Sequence, residues 1–122
     1  MPYRKLKLYP KNADIYFSQG VAYKNLYNYD EKAIRNFYQA GLLYLEENNG
    51  AKSLECVDLM KSINPSSILI KYLEALIFLK QNNRAEALEC VDLIKKADPI
   101  SPLIKKLMDK IYVEDKPKKS KN

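Results

Sequence analysis

The chain has 122 residues, a length that favours one domain, and 47% of them are hydrophobic, as in globular proteins and unlike disordered ones. No apolar run reaches the roughly 18 residues of a membrane-spanning helix, and the N-terminus leads into no signal segment. Both observations predict a cytoplasmic protein without a membrane partner. Two cysteines and no histidine exclude a disulfide framework and a Cys/His metal site, while the scarcity of glycine favours an all-α fold.

The formal charge of +6 is concentrated at the two ends of the chain. Residues 1–11 carry four basic and no acidic side chains, and residues 114–122 carry four lysines against two acidic residues. The 13 basic and 13 acidic residues between them leave a neutral body. We therefore predict a basic N-terminal lead-in (1–11), a helical repeat domain (12–113) and a basic disordered tail (114–122). Nucleic-acid binding through these ends is unlikely, because short basic tails bind polyanions weakly and in a salt-dependent way.

Helical periodicity and capping residues predict six helices in chain order. They cover residues 13–27, 30–48, 51–63, 67–81, 84–97 and 102–113. The predicted N-caps are asparagines, namely Asn12, Asn28 and Asn83. Two Xaa-Pro pairs end the third and fifth helices, and short turns join the helices into three antiparallel hairpins.

An internal repeat is the strongest signal in the sequence. Residues 51–65 align without a gap on residues 85–99, at an offset of 34 residues, and both copies contain Leu-Glu-Cys-Val-Asp-Leu. This period is typical of arrays in which each helix hairpin buries its apolar face against the next one. Helix 67–81 is apolar on nearly every side and must be surrounded, whereas helix 102–113 has one apolar stripe and suits a terminal cover.

The matching residues resemble the tetratricopeptide repeat family, with about three degenerate repeats over residues 8–113. Small and aromatic residues fit the first and second helices of its motif. Two positions depart from it, because Tyr16 stands where the motif has tryptophan and Gln19 where it has leucine. The matches are Gly20, Tyr23, Ala33, Phe37 and Ala40.

The phase of the repeat is ambiguous in helix 30–48. Counting 34 residues back from Ala75 reaches Gly41, so this helix also fits as the first helix of the next repeat. Both assignments stay open at this point.

The sequence predicts no enzyme and no cofactor. It lacks histidine, a glycine-rich phosphate loop and a nucleophile beside a candidate base. Cys56 and Cys90 occupy equivalent positions of neighbouring repeats, which lie on the order of 10 Å apart, whereas a disulfide needs Cα atoms within about 7 Å. We therefore predict that both cysteines are small core residues.

The family resemblance implies a groove on the concave side of the stack, lined by the first helices. Carried onto this chain, the groove residues are Phe17, Val21, Lys24, Asn25, Arg35, Tyr38, Leu42, Tyr72, Leu76 and Lys80. An aromatic ring recurs in each helix, and ordinary packing is the alternative explanation for these rings. The resemblance implies an adaptor, scaffold or chaperone-like module that binds a protein or peptide segment. The alternative is a structural subunit that self-associates, for which a homodimer is the simplest form.

Overall fold

The computed structural model describes residues 12–115, and within this range the chain is all α-helical without strands. The chain divides into two compact units, one ending at Ile70 and the next beginning at Lys71. The predicted lead-in (1–11) and residues 116–122 of the predicted tail lie outside the described residues. The all-α prediction and its six helices are confirmed: α1 (Ala13–Lys24), α2 (Asp30–Glu46), α3 (Gly50–Ile63), α4 (Ile68–Lys80), α5 (Arg84–Ala97) and α6 (Pro102–Asp115).

The turn between α1 and α2 differs from its prediction. The first helix ends at Lys24, three residues before the predicted end, and the cap of α2 is Tyr29, whose side chain makes no capping hydrogen bond. Asn28 has a φ of 68°, in the left-handed region that asparagine tolerates better than most residues. Because Tyr29 and not Asn28 is the residue that precedes the first helical turn of α2, the prediction that Asn28 caps the second helix is wrong.

In the first unit, α2 packs against α1 on one side and against α3 on the other. A Cβ atom at Gly20 of α1 would lie 2.7 Å from the ring of Phe37, so α1 approaches α2 as closely as a glycine permits. On the other side, the hydroxyl of Ser53 in α3 donates a hydrogen bond to the carbonyl oxygen of Gly41 at 3.0 Å. Small residues therefore allow close contacts of α2 with both α1 and α3.

The 34-residue sequence repeat is also a repeat of backbone structure. Asn49 and Asn83 cap α3 and α5 with φ and ψ angles of −105° and 75° in one copy and −106° and 76° in the other. Each side-chain oxygen accepts a backbone N–H three residues later, at 3.1 and 3.3 Å. The preceding residues, Asn48 and Asn82, have φ angles of 61° and 59°. The predicted cap at Asn83 is confirmed, and an equivalent cap exists 34 residues earlier.

The turns after α3 and α5 repeat in the same way. Asn64 and Asp98 end these helices with φ angles of −151° and −153°, and each side chain accepts the N–H two residues later. Ser67 and Ser101 then accept from the first turns of α4 and α6 at 3.3 and 3.2 Å. In the second unit α5 packs against α6, which continues two residues past its predicted end.

Candidate protein-binding surface

Phe17, the first predicted groove residue, takes part in the packing of three helices. Its ring is half-buried and meets the rings of Phe37 and Tyr44 edge to face, with centroids 5.5 and 6.3 Å apart. The Nζ atom of Lys52 in α3 lies 4.8 Å from the Phe17 centroid, within the range of a cation–π contact. Phe17 therefore joins α1 to α2 and α3 while part of its side chain remains accessible.

A hydrogen bond next to this aromatic cluster ties the start of α1 to α2. The Tyr44 hydroxyl donates to Asp14 Oδ1 at 2.5 Å, and the Tyr44 side chain is buried. Burial, followed by this hydrogen bond, raises the pKa of Tyr44 well above its usual value. The position of α1 on α2 is thus fixed at Asp14 as well as at Gly20.

The α1 flank, defined as Phe17, Val21, Lys24 and Asn25, is the accessible part of the predicted groove on α1. Val21 is 39% exposed, and Lys24 and Asn25 are exposed as well. Only two residues of α1, Ala13 and Gly20, are buried. Its larger side chains therefore keep accessible apolar surface, since half-buried positions are occupied by Ile15, Tyr16, Phe17 and Tyr23.

The predicted groove residues of α2 lie on the helix that packs directly against α1. Arg35 is exposed and pairs with Glu31 one turn earlier, with an N–O distance of 3.2 Å. Tyr38 and Leu42 are half-buried. The first unit therefore brings seven of the ten predicted residues onto two neighbouring helices.

The remaining three predicted residues belong to the second unit. Tyr72 is only 6% exposed, so it offers almost no surface to a partner. Burial also raises the pKa of its phenol. Truncating Tyr72 is therefore expected to reduce stability, which corrects its placement as an accessible groove residue. Leu76 is half-buried and Lys80 is exposed.

A second accessible apolar surface was missed by the sequence analysis. The turn patch, defined as Leu26, Tyr27 and Tyr29 in the α1–α2 turn, exposes 51%, 88% and 41% of these residues. The first helix was predicted to end at residue 27, because its helical spacing continues to Leu26 and the segment Tyr27-Asn28-Tyr29-Asp30 breaks the pattern. The signal that could have found the patch is Asn28 between two tyrosines, since asparagine favours turns.

An open depression lies beside the turn patch, and stacked aromatic rings at its base support the turn. The depression has a volume of about 690 Å³ and carries both signs of charge among its lining residues, Lys24, Asn25, Leu26, Tyr27, Asn28, Asp30 and Glu31. The rings of Tyr23 and Tyr29 stack with centroids 5.5 Å apart and planes 8° from parallel. Lys32 Nζ lies 5.8 Å from the Tyr23 centroid.

The two cysteines are buried free thiols, so their predicted core placement is confirmed. Burial raises the pKa of Cys56 from 9.0 to about 12 and that of Cys90 from 9.0 to about 11, which keeps both thiols protonated at neutral pH. Among residues 12–115, no group of three or more His, Cys, Asp or Glu side chains could hold a metal ion. None of the helices in this range is long and apolar enough to cross a membrane.

No protein-family model, no curated protein and no solved structure matches this chain. The resemblance to tetratricopeptide repeats therefore rests on the motif residues and on the 34-residue period.

Proposed function

We propose that this protein is a tetratricopeptide-like module that binds a segment of a partner protein, as an adaptor, scaffold or chaperone-like subunit. The observation that carries the proposal is the incomplete burial of α1. A helix that stabilises a fold normally buries its large apolar residues, yet α1 buries only an alanine and a glycine. Apolar surface that remains accessible on a helix is a common feature of docking sites.

A comparison with α6 supports this reading of α1. Both helices are short and each packs beside a neighbour, but α6 buries Leu107 and Ile111 and exposes charged residues on its other side. Those charged residues are Lys105, Lys106, Asp109 and Lys110, and the last turns of α6 also expose Tyr112. In α1, Val21 and Ala22 occupy exposed positions instead. The difference favours α1 as the helix that meets a partner.

The proposed docking site combines the α1 flank with Arg35, Tyr38 and Leu42 of α2. Phe17 and Val21 are one helical turn apart and supply apolar contact, while Lys24 and Arg35 supply positive charge at the edge. A mainly apolar surface with a polar edge suits an extended or helical peptide segment. Tyrosine and arginine are also the residue types that most often dominate the energy of such contacts.

Site-specific photo-crosslinking in the cells that make the protein tests the proposal. A photoreactive amino acid is placed at Val21 in one variant and at Lys106, an exposed residue of α6, in a matched control. We expect a discrete crosslinked partner from position 21 and none from position 106. The Val21→Asp variant, folded by circular dichroism, should lose that partner because a buried charge without a counterion is costly at an interface.

Two results would contradict the proposal. One is a Val21 variant that yields the same adducts as the Lys106 control, which would mean that α1 meets other proteins only at random. The other is a specific partner that crosslinks at Val21 and is retained in full by Val21→Asp, because contact without energetic importance does not define a docking site.

A further inference from the structure

We propose that the turn patch is a self-association surface on which a second copy of this chain docks through a two-fold axis. This goes beyond the binding of a partner segment, since it concerns the α1–α2 turn and names the occupant, although the depression shares Lys24 and Asn25 with the α1 flank. A two-fold contact requires one surface to be complementary to itself in shape and in charge. The α1–α2 turn meets both requirements.

The shape requirement is met by a protrusion beside a depression. Tyr27 is the most exposed large hydrophobic side chain among residues 12–70, and Leu26 is half exposed next to it. The depression of about 690 Å³ lies against the same residues. Two copies related by a two-fold axis can therefore each place Tyr27 in the depression of the other.

The charge requirement is met by the lining of the depression. Lys24 supplies a positive charge at the end of α1, and Asp30 and Glu31 supply negative charges in the first turn of α2, where Glu31 also pairs with Arg35 one turn later. In a two-fold pair, the lysine of each copy faces the carboxylates of the other. Opposite charges at an interface guide association and select the correct partner.

The turn is also held in place before any contact forms. The Tyr23–Tyr29 stack and the Lys32 ammonium on the Tyr23 ring brace its base. Asn28 sets the direction of the chain through its positive φ. A surface that is ordered in advance loses less conformational entropy on binding.

The size of the patch predicts weak association. Stable dimers bury about 800 Å² on each partner. The turn patch has three large side chains, two of which are about half exposed, and is smaller than that. We therefore expect a dissociation constant between about 10 µM and 1 mM, in the range of transient contacts.

Sedimentation equilibrium of the full chain over a concentration series tests the proposal. We expect a monomer–dimer equilibrium whose dissociation constant rises at least about ten-fold in Tyr27→Ser, as for a central aromatic contact. The control is Ile100→Ser in the α5–α6 turn, because Ile100 is also 88% exposed. It should leave the dissociation constant unchanged. A general loss of surface hydrophobicity would affect both variants equally.

A charge-swap experiment tests the pairing itself. Lys24→Glu alone, and the double variant Asp30→Lys/Glu31→Lys alone, should each fail to dimerise because like charges then face each other. An equimolar mixture of the two should form a heterodimer with close to the original dissociation constant, since every facing pair is again of opposite sign. Circular dichroism on each variant confirms that the helices form.

Three results would overturn the proposal. The first is a chain that remains monomeric up to about 1 mM, the upper limit expected for a patch of this size. The second is a dimer that Tyr27→Ser leaves intact, which would locate the contact elsewhere. The third is a pair of folded charge variants that do not recover association when mixed. Each outcome leaves the partner-binding test at Val21 unaffected.

Discussion

The contact between Gly20 and Phe37 makes a prediction at the scale of one residue. A methyl group at position 20 would lie 2.7 Å from the Phe37 ring, and Phe37 is fully buried, so the ring has little space in which to move. Gly20→Ala is therefore expected to lower the free energy of unfolding by about 1 to 3 kcal/mol, as overpacked cores do. Urea unfolding followed by circular dichroism measures this loss.

Gly50 provides the matched control for this prediction. It begins α3, and a Cβ atom there would meet nothing within 4 Å. Gly50→Ala is expected to raise the free energy of unfolding by about 0.4 to 1 kcal/mol, because alanine restricts the unfolded chain more than glycine does. If the two substitutions shifted stability in the same direction, the close approach of α1 to α2 would not be what Gly20 provides.

At the scale of an element, the repeated Asn caps predict that removing the cap of α3 or the cap of α5 lowers stability by the same amount. Asn49 and Asn83 have the same backbone geometry and the same hydrogen bond to the third following residue. Replacing either by alanine leaves that N–H without its partner and is expected to cost about 1 kcal/mol of stability. Asn49→Asp and Asn83→Asp keep the accepting oxygen and should cost little.

The urea unfolding midpoints of these four variants are measured and compared. Similar losses of stability in Asn49→Ala and Asn83→Ala would show that the two copies of the 34-residue repeat share the same capping energy as well as the same backbone geometry. A loss in the aspartate variants as large as in the alanine variants would mean that the side-chain hydrogen bond is not the stabilising contact.

Elements bounded by strong local signals could be predicted from the sequence. The fifth helix has its predicted bounds, 84–97, because Asn83 caps it and Asp98-Pro99 ends it. The end of α1 was predicted three residues too late, since helical spacing continues to Leu26 and breaks only at Tyr27, while the backbone leaves the helix after Lys24. Apolar periodicity indicates which residues are hydrophobic. It does not indicate where an asparagine with a positive φ, such as Asn28, changes the direction of the chain.

The candidate site was predictable only in part, for a related reason. The family resemblance placed Phe17 and Val21 in the groove, and both retain accessible surface. The same resemblance treated Tyr72 as equivalent to Phe17, although Tyr72 is buried. Burial depends on the residues that surround a helix in three dimensions, and an aromatic position in a repeat carries no information on those neighbours.

At the scale of the whole molecule, buried acidic groups in both units predict a loss of stability at alkaline pH. Burial raises the pKa of Cys56 to about 12 and of Cys90 to about 11, and it also raises the pKa values of Tyr44 and Tyr72. The folded chain therefore holds these protons more tightly than the unfolded chain does. The stabilisation is complete below the unfolded pKa values and is lost as the pH rises toward the folded values.

The pH at which stability begins to fall distinguishes the contribution of the thiols from that of the phenols. Unfolded cysteines release their protons near pH 9.0. The free energy of unfolding of the natural chain should therefore begin to fall there, by at most about 1.4 kcal/mol per pH unit for each proton involved, and the melting temperature should fall with it. In the Cys56→Ala/Cys90→Ala variant the fall should begin near pH 10.0, the ordinary pKa of tyrosine. Thermal melts at half-unit pH intervals measure both curves. Parallel curves with the same onset would show that the buried thiols do not couple folding to pH.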